Sequence, residues 1–410
     1  MDDMLLIKNI GMLATAKGNE PLRGAAQHEG VEIRKNAAVM IGGDTIAGIY
    51  DNDSAPACEN VIDAEGRLVT AGLIDAHTHL IFGGWRQHEV PLKLRGASYL
   101  EILQAGGGIL NTLVATRNAS EDELYERAEK ALADMLLHGV TTVEAKSGYG
   151  LDAENELKQL RVIRRLRDEG GYNVVPTFMA AHAVPPEFKG DPDGYIEYVC
   201  REILPKVADE ELCEFVDVFC ETGVFDVEQS RKMLTYGQAY GFKSKIHADE
   251  IDAIGGSVLA GEMNAVSAEH LIAIDDKGVD SMAKGGTIAC LLPGTSLYLN
   301  KEYAPARKLI EAGVPVAVCT DFNPGSCPSN DLQLCMNLGY LKYRMTPEEV
   351  LSAVTLNAAC AVGRGDTLGT VEPGKQADLV IWDAEDIDYL VYRMGVNKAQ
   401  TVIKKGEIVK

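Results

Sequence analysis

No run of about 18 apolar residues occurs anywhere in the chain, so no membrane-spanning helix is expected. The opening stretch "MDDMLLIKN" is acidic and lacks a long apolar segment, so it does not read as a secretory leader. No two cysteines stand in CxxC spacing. The nine present are scattered and odd in number, which argues against a disulfide framework and for reduced thiols in a cytoplasmic protein. Positive charge is scarce as well: 39 Lys and Arg face 61 Asp and Glu, a net charge of −22. Such a surface repels phosphate, so neither nucleic acid nor an acidic membrane is an expected partner. A small anionic substrate remains compatible, because one arginine can reverse the field inside a cleft.

What is present reads as a globular α/β protein. At 410 residues the chain exceeds one small core, which implies two domains or a large barrel with an accessory piece. Short β-rich pieces split by Gly, Asn and Asp fill both ends, among them "AAVMIGGDTIAGIY" near the start and "ADLVIWD" and "TVIKKGEIV" near the finish. Neither end makes a sandwich alone. Residues 1–64 and 363–410 are therefore expected to form one small β-sandwich domain, with the middle, 65–362, inserted between them. That middle alternates helix and strand signals. Ser120-Glu121-Asp122-Glu123 is a capping box ahead of an apolar face at Leu124, Ala128, Ala131, Leu132, Met135 and Leu136. Thr346-Pro347 opens another helix. Strand-length apolar runs fall at 68–77, 139–145, 174–181, 215–221, 243–247, 265–270, 287–292 and 315–320. This alternation predicts a (β/α)8 TIM-like barrel. A doubly wound open sheet is less favoured, because no Gly-rich dinucleotide turn follows the first strand.

The residues that end these runs carry the chemistry. The first run ends in His77-Thr78-His79, the second in Glu144 followed by Lys146 and Tyr149, the third in His182, the fourth in Glu221. The fifth ends in His247, followed by Asp249 and Glu250; the sixth ends in Glu269-His270, and the eighth in Asp321, followed by Asn323. In a barrel all of these lie on one face, the face where barrel active sites sit. Taken singly, His182 or His270 reads as a buried imidazole bonded to backbone. His77 and His79 read differently. Residues two apart share a side of a strand, and two imidazoles in one buried place are best reconciled by a shared cation. The converging set is His77, His79, His247 and Asp321, a donor set suited to one divalent ion, Zn2+ or Fe2+. Such an ion brings the pKa of bound water down to about 7. Glu250, three residues past His247, could carry a proton to a leaving nitrogen, and His270 and Asp321 could orient or deprotonate the water.

Other features read as structural. "GTVEPGKQ" (369–376) nearly matches a phosphate loop but has Gln376 where a hydroxyl is needed and lies between β runs, so a turn is expected. "AGGGIL", with Gly106 to Gly108, reads as a loop. His28, His88 and His138 have no partners in pattern and are taken as structural or surface residues.

"DAHTHL", "KIHADE", the Asp of "CTDFNPGS" and the closing "GTVEPGKQADLVIWD" resemble the metal-dependent amidohydrolase superfamily over nearly the whole chain. "FGGWRQHE", "KSGYGL", "AAHAVPPE", "ETGVF" and "LLPGTSLYL" are similar to one branch, which opens the ring of 4-imidazolone-5-propanoate to N-formimidoyl-L-glutamate in histidine degradation. The resemblance implies a single zinc or iron ion (Fe2+ or Fe3+) on the four ligands named, and a distorted barrel beside a small β-sandwich. It implies that Arg86, Tyr149, His182 and Glu250 contact the substrate, with Arg86 clamping its propionate carboxylate and His182 holding the ring carbonyl. Asn323, Gly325 and Ser326 match the stretch that holds the ring or the new carboxylate. Two-metal relatives carry a modified lysine at the end of the fourth strand; here "DVFCETG" has none, although Glu221 could bridge a second ion. Superfamily habit implies a homodimer. The alternative activity is a deaminase acting on a cytosine- or guanine-like ring; a catalytically inert barrel is disfavoured, since all four ligands are present.

Overall fold

The computed structural model describes residues 4–96 and 107–410. Its strands, numbered in chain order, begin with β1 (Met4–Ala16), β2 (Val31–Gly42), β3 (Thr45–Asp51), β4 (Asn60–Asp63) and β5 (Leu68–Ala71). Eight barrel strands follow: β6 (Leu73–Asp75), β7 (Val140–Lys146), β8 (Asn173–Ala181), β9 (Phe215–Cys220), β10 (Lys243–Ala248), β11 (Ser267–His270), β12 (Ile288–Leu291) and β13 (Val316–Val318). The chain closes with β14 (Leu379–Trp382), β15 (Ala399–Lys404) and β16 (Glu407–Ile408).

Strands β6 to β13 run in sequence order as one parallel sheet. Between them lie the helices that the alternating pattern implies. No ladder joins β13 back to β6. The seam is closed just past both strands instead, where Asp321 N donates to His77 O (3.1 Å) and His79 N donates to Phe322 O (2.9 Å). The Asp75 carboxylate adds two bonds across the seam, accepting Thr320 N at 3.1 Å and Thr320 Oγ1 at 2.5 Å. The barrel's closure and the first histidine pair are thus the same piece of structure.

The run expected as one strand over 68–77 divides in two. Leu68–Ala71 pairs with β1 and β14 in the small sheet, and only Leu73–Asp75 enters the barrel. Gly72 is the pivot: a Cβ there would stand 2.4 Å from Thr141 Oγ1, so the crossing strand can pass β7 only without a side chain. The small sheet therefore extends past the 64/65 boundary expected for it. By its hydrogen bonds this unit is one eight-stranded sheet, ordered β16-β15-β14-β5-β1-β2-β3 with β4 also on β1. One apolar cluster draws Val39 and Ile41 from one half and Leu379, Ile381 and Ile403 from the other, so the sheet curls over its own core and makes both layers of the expected sandwich.

Local signals explain the helix starts. Ser120 Oγ accepts Glu123 N while Glu123 Oε2 accepts Ser120 N, and the helix 121–137 that follows buries Leu124, Ala128, Ala131, Leu132 and Met135. Thr346 and Glu349 form the same reciprocal pair, with Pro347 at the first helical position. Of "AGGGIL", Gly106 lies outside the described residues; Gly108 takes φ +73° and caps the helix 109–118. The stretch 369–376 is a turn whose lysine, Lys375, donates to backbone carbonyls of Gly18 and Gly365. His28 bonds Thr346 Oγ1 at the surface, His138 ends its helix against Asp134 O, and His88 lies exposed in a short 3-10 turn.

Candidate metal and substrate site

His77 and His79 are almost wholly buried, as are His247 at the end of β10 and Asp321 just past β13. Their donor atoms converge. His79 Nε2 stands 3.3 Å from His247 Nε2, and Asp321 Oδ1 lies 3.4 Å from His77 Nε2 and 3.6 Å from His79 Nε2. Burial first, and then neighbouring cationic and imidazole groups, hold His77 and His79 far below the usual histidine range, so both offer lone pairs. Burial, followed by the like charge of Glu250, pushes the Asp321 carboxyl up to about 6. Both nitrogens of His77 and Nδ1 of His79 have no hydrogen-bond partner. Orphaned buried imidazoles facing one another and a carboxylate are costly unless a cation accepts their lone pairs, so the three histidines, with Asp321 facing two of them, fit a divalent ion.

Left-handed backbone helps aim the set. Asp321 sits at φ +59° and His270 at φ +71°, conformations rare outside glycine, and each is held by packing at the barrel mouth. Thr295 Oγ1 donates to Asp321 Oδ2 at 2.5 Å, which leaves Oδ1 facing the histidines. His270 Nε2 lies 3.7 Å from Glu250 Oε2 beside the ligands.

The remaining expected contacts ring this centre. Tyr149 is buried near His79 and His182, and burial pushes its hydroxyl well above the usual value, so it remains a donor. Its loop is held from one helix: Glu156 accepts Gly148 N, Gly150 N and Leu151 N, and Gln159 accepts Tyr149 N. His182 stacks on His79 (centroids 4.7 Å apart, 13° between planes) and donates Nδ1–H to Gly148 O at 3.0 Å. Burial brings its pKa down to about 4, so it is neutral and its Nε2 is an acceptor. That corrects the expected role: His182 as bonded here cannot donate to a ring carbonyl, but it can accept a ring N–H.

Arg86 is placed at the mouth, but it is already paired. Its Nε and Nη2 donate to the two oxygens of fully buried Glu89 at 2.8 and 3.1 Å, and Glu89 also accepts Gly108 N. The Nη1 side passes so close to Gly325 that a Cβ there would lie 2.0 Å away. Arg86 therefore presents the end of its fork in a fixed direction rather than an uncompensated charge. Asn323 serves its own turn: Oδ1 accepts Gly325 N and Ser326 N at 2.8 and 2.7 Å, and Nδ2 donates to Asp321 O and Ser326 Oγ. This turn stands against Arg86 where the sequence placed it, with its polar groups spent first on its own shape.

Both oxygens of Glu221 are already engaged by backbone donors: they accept Thr222 N, Ile251 N and Asp252 N, anchoring the loop that carries Glu250. A second cluster, Asp217, His247 and Glu269, brings donor atoms together, but Asp217 already accepts from His247 and Lys146. Glu89 and Asp217 were missed in the sequence. The three-residue spacing of Arg86 and Glu89, and a lone Asp inside the apolar strand "FVDVFC", were the signals available.

Models described as the amidohydrolase family match residues 233–409 and 60–93. An imidazolonepropionase of Caldanaerobacter subterraneus subsp. tengcongensis is 49% identical over 406 residues, covering 99% of this chain and 98% of its own. The chain belongs to the imidazolonepropionase family. A second imidazolonepropionase, from Bacillus mycoides, is 48% identical over 411 residues, covering 100% of this chain and 97% of its own. Among solved structures, a mutant atrazine chlorohydrolase from Arthrobacter aurescens, complexed with zinc and atraton, superposes with TM-score 0.73 at 18% identity, covering 99% of this chain and 95% of its own. A 5-methylcytosine deaminase from Klebsiella pneumoniae superposes with TM-score 0.73 at 20% identity, covering 97% and 98%. At these identities the two structures share the fold alone.

Proposed function

We infer that this chain hydrolyses the cyclic amide C–N bond of 4-imidazolone-5-propanoate to give N-formimidoyl-L-glutamate. The observation that carries the reading is the full-length likeness to imidazolonepropionases; the meeting of His77, His79 and His247, with Asp321 facing the first two, supports it. His77, His79, His247 and Asp321 would hold one zinc or iron ion, which supplies Lewis acidity and makes water a stronger acid.

The chain's own residues do the rest. The end of the Arg86 fork, left open because Glu89 takes the Nε side, receives both oxygens of the propionate tail. Tyr149 adds a hydroxyl donor, and His182 Nε2 accepts a ring N–H, fixing which face of the ring meets the ligands. Glu250, whose loop Glu221 anchors, takes the proton of the attacking water and delivers it to the ring nitrogen as the C–N bond breaks. His270, 3.7 Å from Glu250, orients that exchange, while Thr295 keeps the second oxygen of Asp321 occupied. Asn323, Gly325 and Ser326 shape the wall beside the carboxylate. A deaminase would share the ligands, but a neutral base offers nothing for Arg86 to hold. We place the activity in histidine degradation in the cytoplasm, carried out by a homodimer that sedimentation velocity would reveal.

The test is incubation with freshly made imidazolonepropionate, following loss of its ultraviolet absorbance with and without chelator, beside metal analysis. Loss of activity on chelation is expected. Purified protein without stoichiometric zinc or iron, or turnover indifferent to chelator, would sink the reading.

A further inference from the structure

The barrel interior just below the ligands is charged where such barrels are commonly filled by Val, Ile and Leu. Glu144, Lys146, Asp217, Lys245 and Glu269 are all fully buried there. They are ordered around one contact. Asp217 Oδ1 accepts from His247 Nδ1 at 3.1 Å, and Asp217 Oδ2 accepts from Lys146 Nζ at 2.7 Å. Lys146 Nζ also donates to Glu144 Oε1 at 2.8 Å, and that oxygen accepts Thr177 Oγ1 at 2.6 Å and pairs with Lys245 Nζ at 3.0 Å. Asp217 is therefore clamped on one side, with a single oxygen left for His247.

We propose that Asp217 is a positioning residue for the ligand His247, and that Lys146 dictates which atom Asp217 presents to it. The inference rests on the single-metal reading above. A carboxylate only accepts, so it holds the His247 proton on Nδ1 and leaves the lone pair on Nε2, the atom that meets His79 Nε2 at 3.3 Å. An ammonium only donates, so whatever stands at position 217 must turn an acceptor toward Lys146.

This makes an unusual prediction for the isosteric change Asp217→Asn. Lys146 claims the amide oxygen, so the amide NH2 must face His247 Nδ1. Nδ1 must then accept, the ring proton moves to Nε2, and an N–H points into the ligand pocket where a lone pair is needed. Asp217→Ala removes the acceptor but imposes no tautomer. Zinc affinity of the metal-free full-length protein, measured by competition with a chelating dye, should weaken by about 10- to 100-fold in Asp217→Asn and by less in Asp217→Ala. Adding Lys146→Met to Asp217→Asn frees the amide to flip, and part of the affinity should return. Melting of the metal-free proteins is read in parallel. A merely structural Asp217 would give the reverse order, with the cavity-forming alanine worst and the isostere mild. Native zinc affinity in Asp217→Asn, or weaker binding in Asp217→Ala than in Asp217→Asn, overturns the inference alone. A wild-type chain that binds neither zinc nor ferrous iron overturns the metal reading and this inference with it. Should the variants not fold, the ring 15N resonances of His247 in the metal-free wild type decide the matter: protonation at Nδ1 supports the proposal and protonation at Nε2 overturns it.

Discussion

Gly325→Ala tests whether the placement of Arg86, more than its charge, sets affinity for the substrate tail. The new methyl would arrive 2.0 Å from Arg86 Nη1 and 2.8 Å from Cζ. Gly325 has no left-handed φ, so the backbone accepts alanine and the strain falls on the guanidinium. To reach ordinary contact the fork must retreat by about 1.5 Å. It cannot do so freely, because two hydrogen bonds of 2.8 and 3.1 Å tie it to buried Glu89. A charge-assisted bond to a carboxylate is worth about 1.5–3 kcal/mol, and a misplacement of about 1 Å can cost roughly a hundredfold in rate. We therefore expect kcat/KM for imidazolonepropionate to fall about a hundredfold, mostly through KM, with metal content unchanged. The assay is loss of substrate absorbance at varied concentration, run beside the methyl ester of the same substrate. Because the ester cannot engage a two-oxygen fork, its turnover should hardly change. Wild-type KM in Gly325→Ala, or an equal loss on acid and ester, would refute the reasoning.

Other outcomes follow from the same contacts. Glu250→Gln should lower kcat by about 10²- to 10⁴-fold while zinc or iron stays at one per chain by elemental analysis, because it carries protons and is not a ligand. Glu221→Gln turns an amide N–H toward backbone donors that now meet a carboxylate, so kcat should drop about tenfold as the Glu250 loop shifts, again at an unchanged metal ratio. Burial pushes Asp75 up to about 7 from 3.8, so the folded chain binds a proton that the unfolded chain releases, and stability falls as pH rises between those values. Asp75→Asn removes that penalty. In chelator-treated protein its melting temperature should gain on wild type by several degrees between pH 4 and pH 8, and a constant difference would count against it.

The sequence by itself determined the parts that obey short-range rules. Strand-length apolar runs, all but the seventh ending in polar residues, marked out the barrel and its active face, since side-chain alternation in a strand is local. The period of two between His77 and His79 placed both rings on one side, and the capping boxes at Ser120 and Thr346 fixed two helix starts. Pairings between distant segments had no such local mark. Leu68–Ala71 reads like the rest of its apolar run, and only the partner strands β1 and β14 draw it into the small sheet. His182 was found at its strand end, but its direction of hydrogen bonding depends on Gly148 O, 34 positions away. Glu221 looks like a spare ligand until the backbone of residues 251 and 252 claims it. Arg86 looks like a free cation until Glu89 takes one side of its fork. Asp217 acquires its role only when β7 and β10 set Lys146 and His247 on either side of it. Residue types fixed which chemistry was available. Tertiary packing decided which lone pairs and protons remained free to perform it, because a buried polar group is defined by the partner it is given.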